Sequence, residues 1–90
     1  MRPSKNPELM QALAIEVKRR RLELGLTQED LAGRIELDRP YISLIEVARK
    51  QPTLSVLHLL AGGLDYSLAD MMGLVEKQYA RQRRSKPKSS

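Results

Sequence analysis

Ninety residues, with 16 lysines and arginines against 11 acidic residues and a single histidine, make one small basic domain rather than several. The absence of cysteine excludes a disulfide or a thiolate metal site, and a lone histidine leaves almost nothing to build a zinc centre from. No run approaches the ~20 apolar residues of a membrane span and no apolar signal region opens the chain, so a soluble, cytoplasmic protein is expected.

Phe and Trp are absent, and β-branched residues are few and do not alternate. The expected class is therefore all-α, with a core of Leu, Ile, Val, Met and Ala. Residues 1–5 are expected to form a disordered arm. Asn6 can cap a first helix, with Pro7 at its first position and Glu8 in its first turn. That helix runs to about Leu24 and buries Leu9, Leu13 and Val17, with Met10 and Ala14 beside them. Gly25 ends it as a left-handed cap. Lys18, Arg19, Arg20 and Arg21 form a basic run near its C-terminus.

A second helix begins at Thr27, where Thr27 and Asp30 read as a capping box and Leu26 can staple to Leu31. A third takes Asp38 as its cap, with Leu37 stapling to Ile42 and Pro40 harmless in the first turn. A fourth starts at Thr53, runs to about Gly62 and should bury Leu54, Leu57 and Leu60. Gly62 and Gly63 weaken its end. A fifth takes Ser67 as cap, with Asp70 three residues later and Tyr66 stapling to Met71. Residues 6–73 make the domain, and 74–90 are a basic extension. Residues 74–84 either continue the fifth helix or form one of their own, and residues 85–90 read as a disordered end.

Residues 28–47 organise the rest. Leu31 and Ile35 share one helix face, Ile42 and Ile45 share another, and Leu37 plugs the corner between them. The small Ala32 permits a close crossing. Two helices of about two turns cannot hold themselves together, so the remaining chain must support them. The second keeps one polar, exposed side, which suits a DNA major groove.

Four segments carry a resemblance: RRRLELGLTQEDLA, RPYISLIE, RKQPTL and LDYSLADMM. From about Leu13 to Met72 the chain resembles the Cro/XRE-type, lambda-repressor-like helix-turn-helix family. The resemblance implies a five-helix DNA-binding domain with its helix-turn-helix at 28–47, and a small transcriptional regulator. It implies that Gln28 braces a phosphate together with a helix N-terminus. It also implies that Arg21 pairs with Glu46 and clamps the first helix to the third; otherwise both are surface charges. The family has Gly where this chain has Glu36 and Ala48, so either those turns differ or left-handed strain of order 1 kcal/mol is tolerated.

Arg39 is the first exposed residue of the recognition helix, about 39–46. Its fork can take guanine O6 and N7, or only a phosphate. Pro40 and Leu44 share that exposed side and can touch a thymine methyl; Leu44 in the core is the alternative. Tyr41 and Ser43 stand where the family makes backbone or base contacts, and Arg49 and Lys50 follow as phosphate clamps. Few hydrogen-bonding groups then face the bases, so DNA shape should contribute to specificity.

His58 reads as a partly exposed helix residue. Met71 and Met72 read as core or interface filling. Charge is uneven: residues 1–27 and 73–90 are net basic, whereas residues 28–72 are net acidic. Either the basic ends neutralise phosphates or they only keep the domain soluble. No nucleophile with a paired base, phosphate loop or dinucleotide turn is present, so neither catalysis nor a cofactor is expected. One unit reads few base pairs, which favours a homodimer paired through Tyr66, Leu68, Met72, Leu74 and Val75. The alternative function is a protein-interaction or antitoxin-type helix-turn-helix domain whose main partner is a protein.

Overall fold

The computed structural model describes residues 5–85, so of the expected disordered ends, 1–5 and 85–90, residues 1–4 and 86–90 lie outside the described part, while Ser85 closes the last helix instead. Five α-helices follow in order: α1 (Pro7–Glu23), α2 (Gln28–Ile35), α3 (Arg39–Glu46), α4 (Leu54–Gly63) and α5 (Leu68–Ser85). No strand occurs among the described residues. None of these helices is long and apolar enough to cross a membrane.

Local chemistry sets most of the boundaries. Asn6 Oδ1 accepts from the Leu9 N–H at 3.1 Å and starts α1. Thr27 and Asp30 exchange hydrogen bonds at 3.0 and 2.9 Å, a reciprocal capping box for α2. Thr53 and Ser67 cap α4 and α5 through their hydroxyls, at 3.2 and 3.0 Å. Gly25 takes the left-handed conformation, φ +72°. Asp38 departs from expectation, since its side chain makes no capping bond. Pro40 removes one of the donors such a cap uses, and the Tyr41 N–H bonds to the Asp38 carbonyl at 3.0 Å instead.

The turn between α2 and α3 and the turn that follows α3 both hold left-handed residues. Glu36 (φ 57°) and Ala48 (φ 60°) are left-handed without being glycine, and Asp65 (φ 62°) is a third such residue. The core is a single buried cluster whose largest fully buried side chains are Val17, Leu31, Ile42, Ile45, Leu60, Leu64, Met71 and Val75. α1 packs against α3 and α5, α2 against α3 and α4, and α4 against α5. The helix-turn-helix is thereby held from behind by α1 and from the side by α4.

Two expectations change, and one open alternative is resolved. Leu54 is 71% exposed rather than buried. The buried face of α4 centres on Leu60 and Ala61, while Leu54 lies beside Ser55, His58 and Leu59 on a shallow groove. Gly63, read only as a weak point, is where α2 approaches α4: a Cβ there would lie 2.5 Å from Ile35 Cγ2 and 3.0 Å from Leu31 Cδ1. α5 runs unbroken through Gly73, so residues 74–85 continue the fifth helix. Its far end returns onto α1, with Asn6 Nδ2 donating to Tyr79 Oη at 3.1 Å and Gln82 Nε2 to the Glu8 carbonyl at 2.9 Å.

Candidate nucleic-acid interface

α3 buries Ile42 and Ile45, so the residues on its other side face outward. Arg39 and Pro40 are exposed at its start, and Leu44 is 42% exposed one turn later. Tyr41 and Ser43 flank this line, half-buried. Tyr41 packs against the core, and Lys50 stands over its ring at 5.4 Å from the centroid. Arg49 and Lys50 are exposed just beyond the helix, and neither they nor Arg39 form an ion pair among the described residues. Three cations therefore flank one bare helix face.

The opposite end of α3 is locked. Arg21 donates Nε to Glu46 Oε2 at 2.6 Å and Nη2 to Oε1 at 2.9 Å, a bidentate pair. Its Nη1 donates to the Leu26 carbonyl at 2.7 Å, and Gln28 Nε2 donates to Glu46 Oε1 at 3.1 Å. One carboxylate thus ties α1, α2 and α3, and the Arg21 guanidinium also holds the α1–α2 turn. The hydrogen bonds to the Glu46 carboxylate raise the pKa of the Arg21 guanidinium above its ordinary value. Gln28 is half-buried at the start of α2 and commits one amide hydrogen to Glu46.

The basic run of α1 is largely engaged within the fold. Arg19 bonds Glu16, a buried carboxylate that the sequence did not single out, and also reaches Glu23 and Tyr66 Oη. Arg20 donates to the Leu64 carbonyl at 2.9 Å while stacking 4.4 Å from the Tyr66 centroid. Arg34 donates to the Gly63 carbonyl at 3.0 Å, so two arginines satisfy the C-terminal carbonyls of α4. The reading that both basic ends face DNA is therefore narrowed: of Lys18–Arg21, Lys18 alone is without a partner among the described residues.

The expected pairing surface is only partly available. Val75 is fully buried and Met72 packs against the core, so Val75 cannot meet a partner. It turns inward because α5 continues across α1. Tyr66 packs on the core and lies under Arg20. Leu74 is half-buried beside Tyr66, Ala69 and Lys77. Leu68 is half-buried and shares a groove with the exposed Leu54 and Leu59. Those two exposed leucines are the part of this surface that sequence reasoning missed. His58 is exposed, and no cluster of three metal-ligating side chains occurs among the described residues.

A helix-turn-helix family model matches residues 17–71, more than half of the chain. The chain belongs to the helix-turn-helix family. It is 34% identical over 61 residues to the control protein C.MunI of Mycoplasma sp, covering 68% of this chain and 82% of that protein. It is also similar to the restriction-modification controller protein C.Esp1396I, solved as a tetramer in complex with its natural 35 base-pair operator. There the TM-score is 0.75 at 38% identity, over 80% of this chain and 95% of the other. The clp gene regulator ClgR of Corynebacterium glutamicum superposes with a TM-score of 0.79 at 26% identity, over 91% of this chain and 85% of its own.

Proposed function

We propose that this chain is a sequence-specific, double-stranded-DNA-binding transcriptional regulator of repressor or controller type, acting in the cytoplasm as a symmetric dimer. α3 enters the major groove. The observation that carries the reading is the pairing of a bare outer face, Arg39–Pro40–Leu44, with an inner face fixed by Ile42, Ile45 and the Arg21–Glu46–Gln28 bridge. A recognition helix must be accessible and rigid at once, and this arrangement supplies both. Arg39 reads a guanine, while Gln28, Arg49 and Lys50 hold the backbone. Tyr41 and Ser43 assist through their hydroxyls. The operator-bound state of C.Esp1396I supports the reading.

Pairing is assigned to the α4 face and the start of α5, where Leu54, Leu59 and Leu68 form an apolar patch. In a dimer on B-DNA the two α3 helices sit about 34 Å apart. Leu59→Glu should leave helicity by circular dichroism unchanged and remove the dimer in sedimentation. A wild-type chain that stays monomeric at tens of micromolar and binds one half-site refutes the pairing.

Selection of bound sequences from random duplexes, followed by a salt titration, tests the function itself. Arg39→Ala should lose ~1–3 kcal/mol of specific binding and relax preference at one base pair. Equal weakening on every sequence makes Arg39 a phosphate contact instead. A protein partner is the second reading, and the exposed Ile15, Leu22 and Val47, which line two adjoining shallow grooves, favour it. A salt slope near zero selects that reading.

A further inference from the structure

The outward line of α3 is chemically unusual for a surface that must tell base pairs apart. Pro40 and Leu44 are four residues apart, on the side of the helix opposite the buried Ile42 and Ile45. Neither side chain has a donor or an acceptor. The backbone adds little, because Pro40 has no N–H and the N–H groups of Tyr41 and Ile42 both bond the Asp38 carbonyl, at 3.0 and 3.3 Å. The centre of this face can therefore offer a base pair only apolar contact.

Major-groove edges differ sharply in how they receive such contact. Covering a purine edge or a cytosine amino group with an apolar side chain strips it of water without a replacement hydrogen bond. Covering a methyl group at pyrimidine C5 buries apolar surface on both sides. We propose that Pro40 and Leu44 form a methyl-reading surface, which selects C5-methylated pyrimidines and accepts thymine and 5-methylcytosine alike. The proposal rests on the DNA-binding reading above and adds to it the base chemistry. It also sets a spacing. Four residues of helix rise about 6 Å, so the two methyl groups lie within about two base-pair steps of one another at ~3.4 Å each. Arg39 then reads a guanine beside them.

The test uses the full chain and the duplex it selects from random DNA. Each thymine is replaced in turn by deoxyuridine, which removes the methyl and leaves every hydrogen-bonding group. Wild type should weaken about fourfold at one or two thymines, the value of burying one methyl-sized group. Leu44→Ala should bind the thymine and deoxyuridine duplexes equally at the position Leu44 covers, and Leu44→Met should restore the difference. At that position a 5-methylcytosine–guanine pair should bind about fourfold tighter than a cytosine–guanine pair. Leu44 is exposed, and circular dichroism checks that the variants keep their helices. Specific binding that is indifferent to every deoxyuridine, or a methyl effect that survives in both Leu44→Ala and Pro40→Ala, overturns the methyl reading alone. Failure to select any DNA sequence overturns the DNA-binding reading and this one with it.

Discussion

Replacing Arg21 with Met isolates the bridge that fixes α3. The Arg21 and Glu46 side chains are 8% and 3% exposed, so their pairing is screened little by water. Removing the guanidinium leaves Glu46 buried with Gln28 as its remaining donor and frees the Leu26 carbonyl. Breaking a buried pair from one side costs about 3–5 kcal/mol. A domain of this length has roughly 5–13 kcal/mol of stability in total. The single variant should therefore lose at least ~12 °C in melting temperature, at about 4 °C or more per kcal/mol. Adding Glu46→Met removes the stranded carboxylate and replaces both partners by apolar groups, so most of the loss should return. Urea denaturation of the two single variants and the double variant gives the coupling directly. A loss under ~1 kcal/mol in Arg21→Met, or a double variant as weak as the sum of the singles, refutes the buried-clamp reasoning.

Other substitutions read neighbouring features. Gly62→Ala places its methyl in open space within α4 and should stabilise by ~1 kcal/mol; Gly63→Ala drives a Cβ into Ile35 and should destabilise by ~1–3 kcal/mol in the same urea titration. Ala48→Gly relieves a left-handed residue and should raise stability by up to ~1 kcal/mol after the added unfolded-state entropy is subtracted. Arg81→Gln with Arg84→Gln removes two exposed cations from the end of α5. The log–log salt slope of DNA binding should become shallower by ~2 units per chain, and an unchanged slope leaves these residues merely solvated.

The features legible in the sequence were those that chemistry fixes locally. Asn6, Thr27 with Asp30, Thr53 and Ser67 each satisfy donors within three residues, so spacing alone reveals them. The five apolar positions of the helix-turn-helix read correctly because one helix face must meet the core. What spacing does not encode is how far a helix runs past its neighbours. Leu54 continues the apolar period of α4, yet lies out on a groove with Ser55 and His58. Val75 reads as surplus apolar surface by spacing, but α5 continues across α1 and buries it. Gly63 has a long-range cause, the approach of Ile35 from another helix. Arg20 and Arg34 find their carbonyl partners 44 and 29 residues away, and no local pattern announces such pairs.

Those distant pairs change what the positive charge means. By composition the chain is basic at both ends and acidic between them, which suggests two phosphate-binding flanks around a weak centre. The fold redistributes that charge. Arg19, Arg20 and Arg21 are held by Glu16, Glu23, Glu46 and the end of α4, and their charge is largely cancelled within the protein. Beside the bare face of α3, Arg39, Arg49 and Lys50 form no ion pair among the described residues, and they lie inside the stretch that composition marks as acidic. α5 adds to them: Gln82 lines the same groove as Val47 and Ala48, which brings the arginine-rich end of α5 to the segment leading into Arg49. Counterion release depends on charges that reach phosphate, not on net charge. Binding strength should therefore follow the side chains that reach phosphate, while Arg21 of α1 sets the stiffness of the helix that carries Arg39.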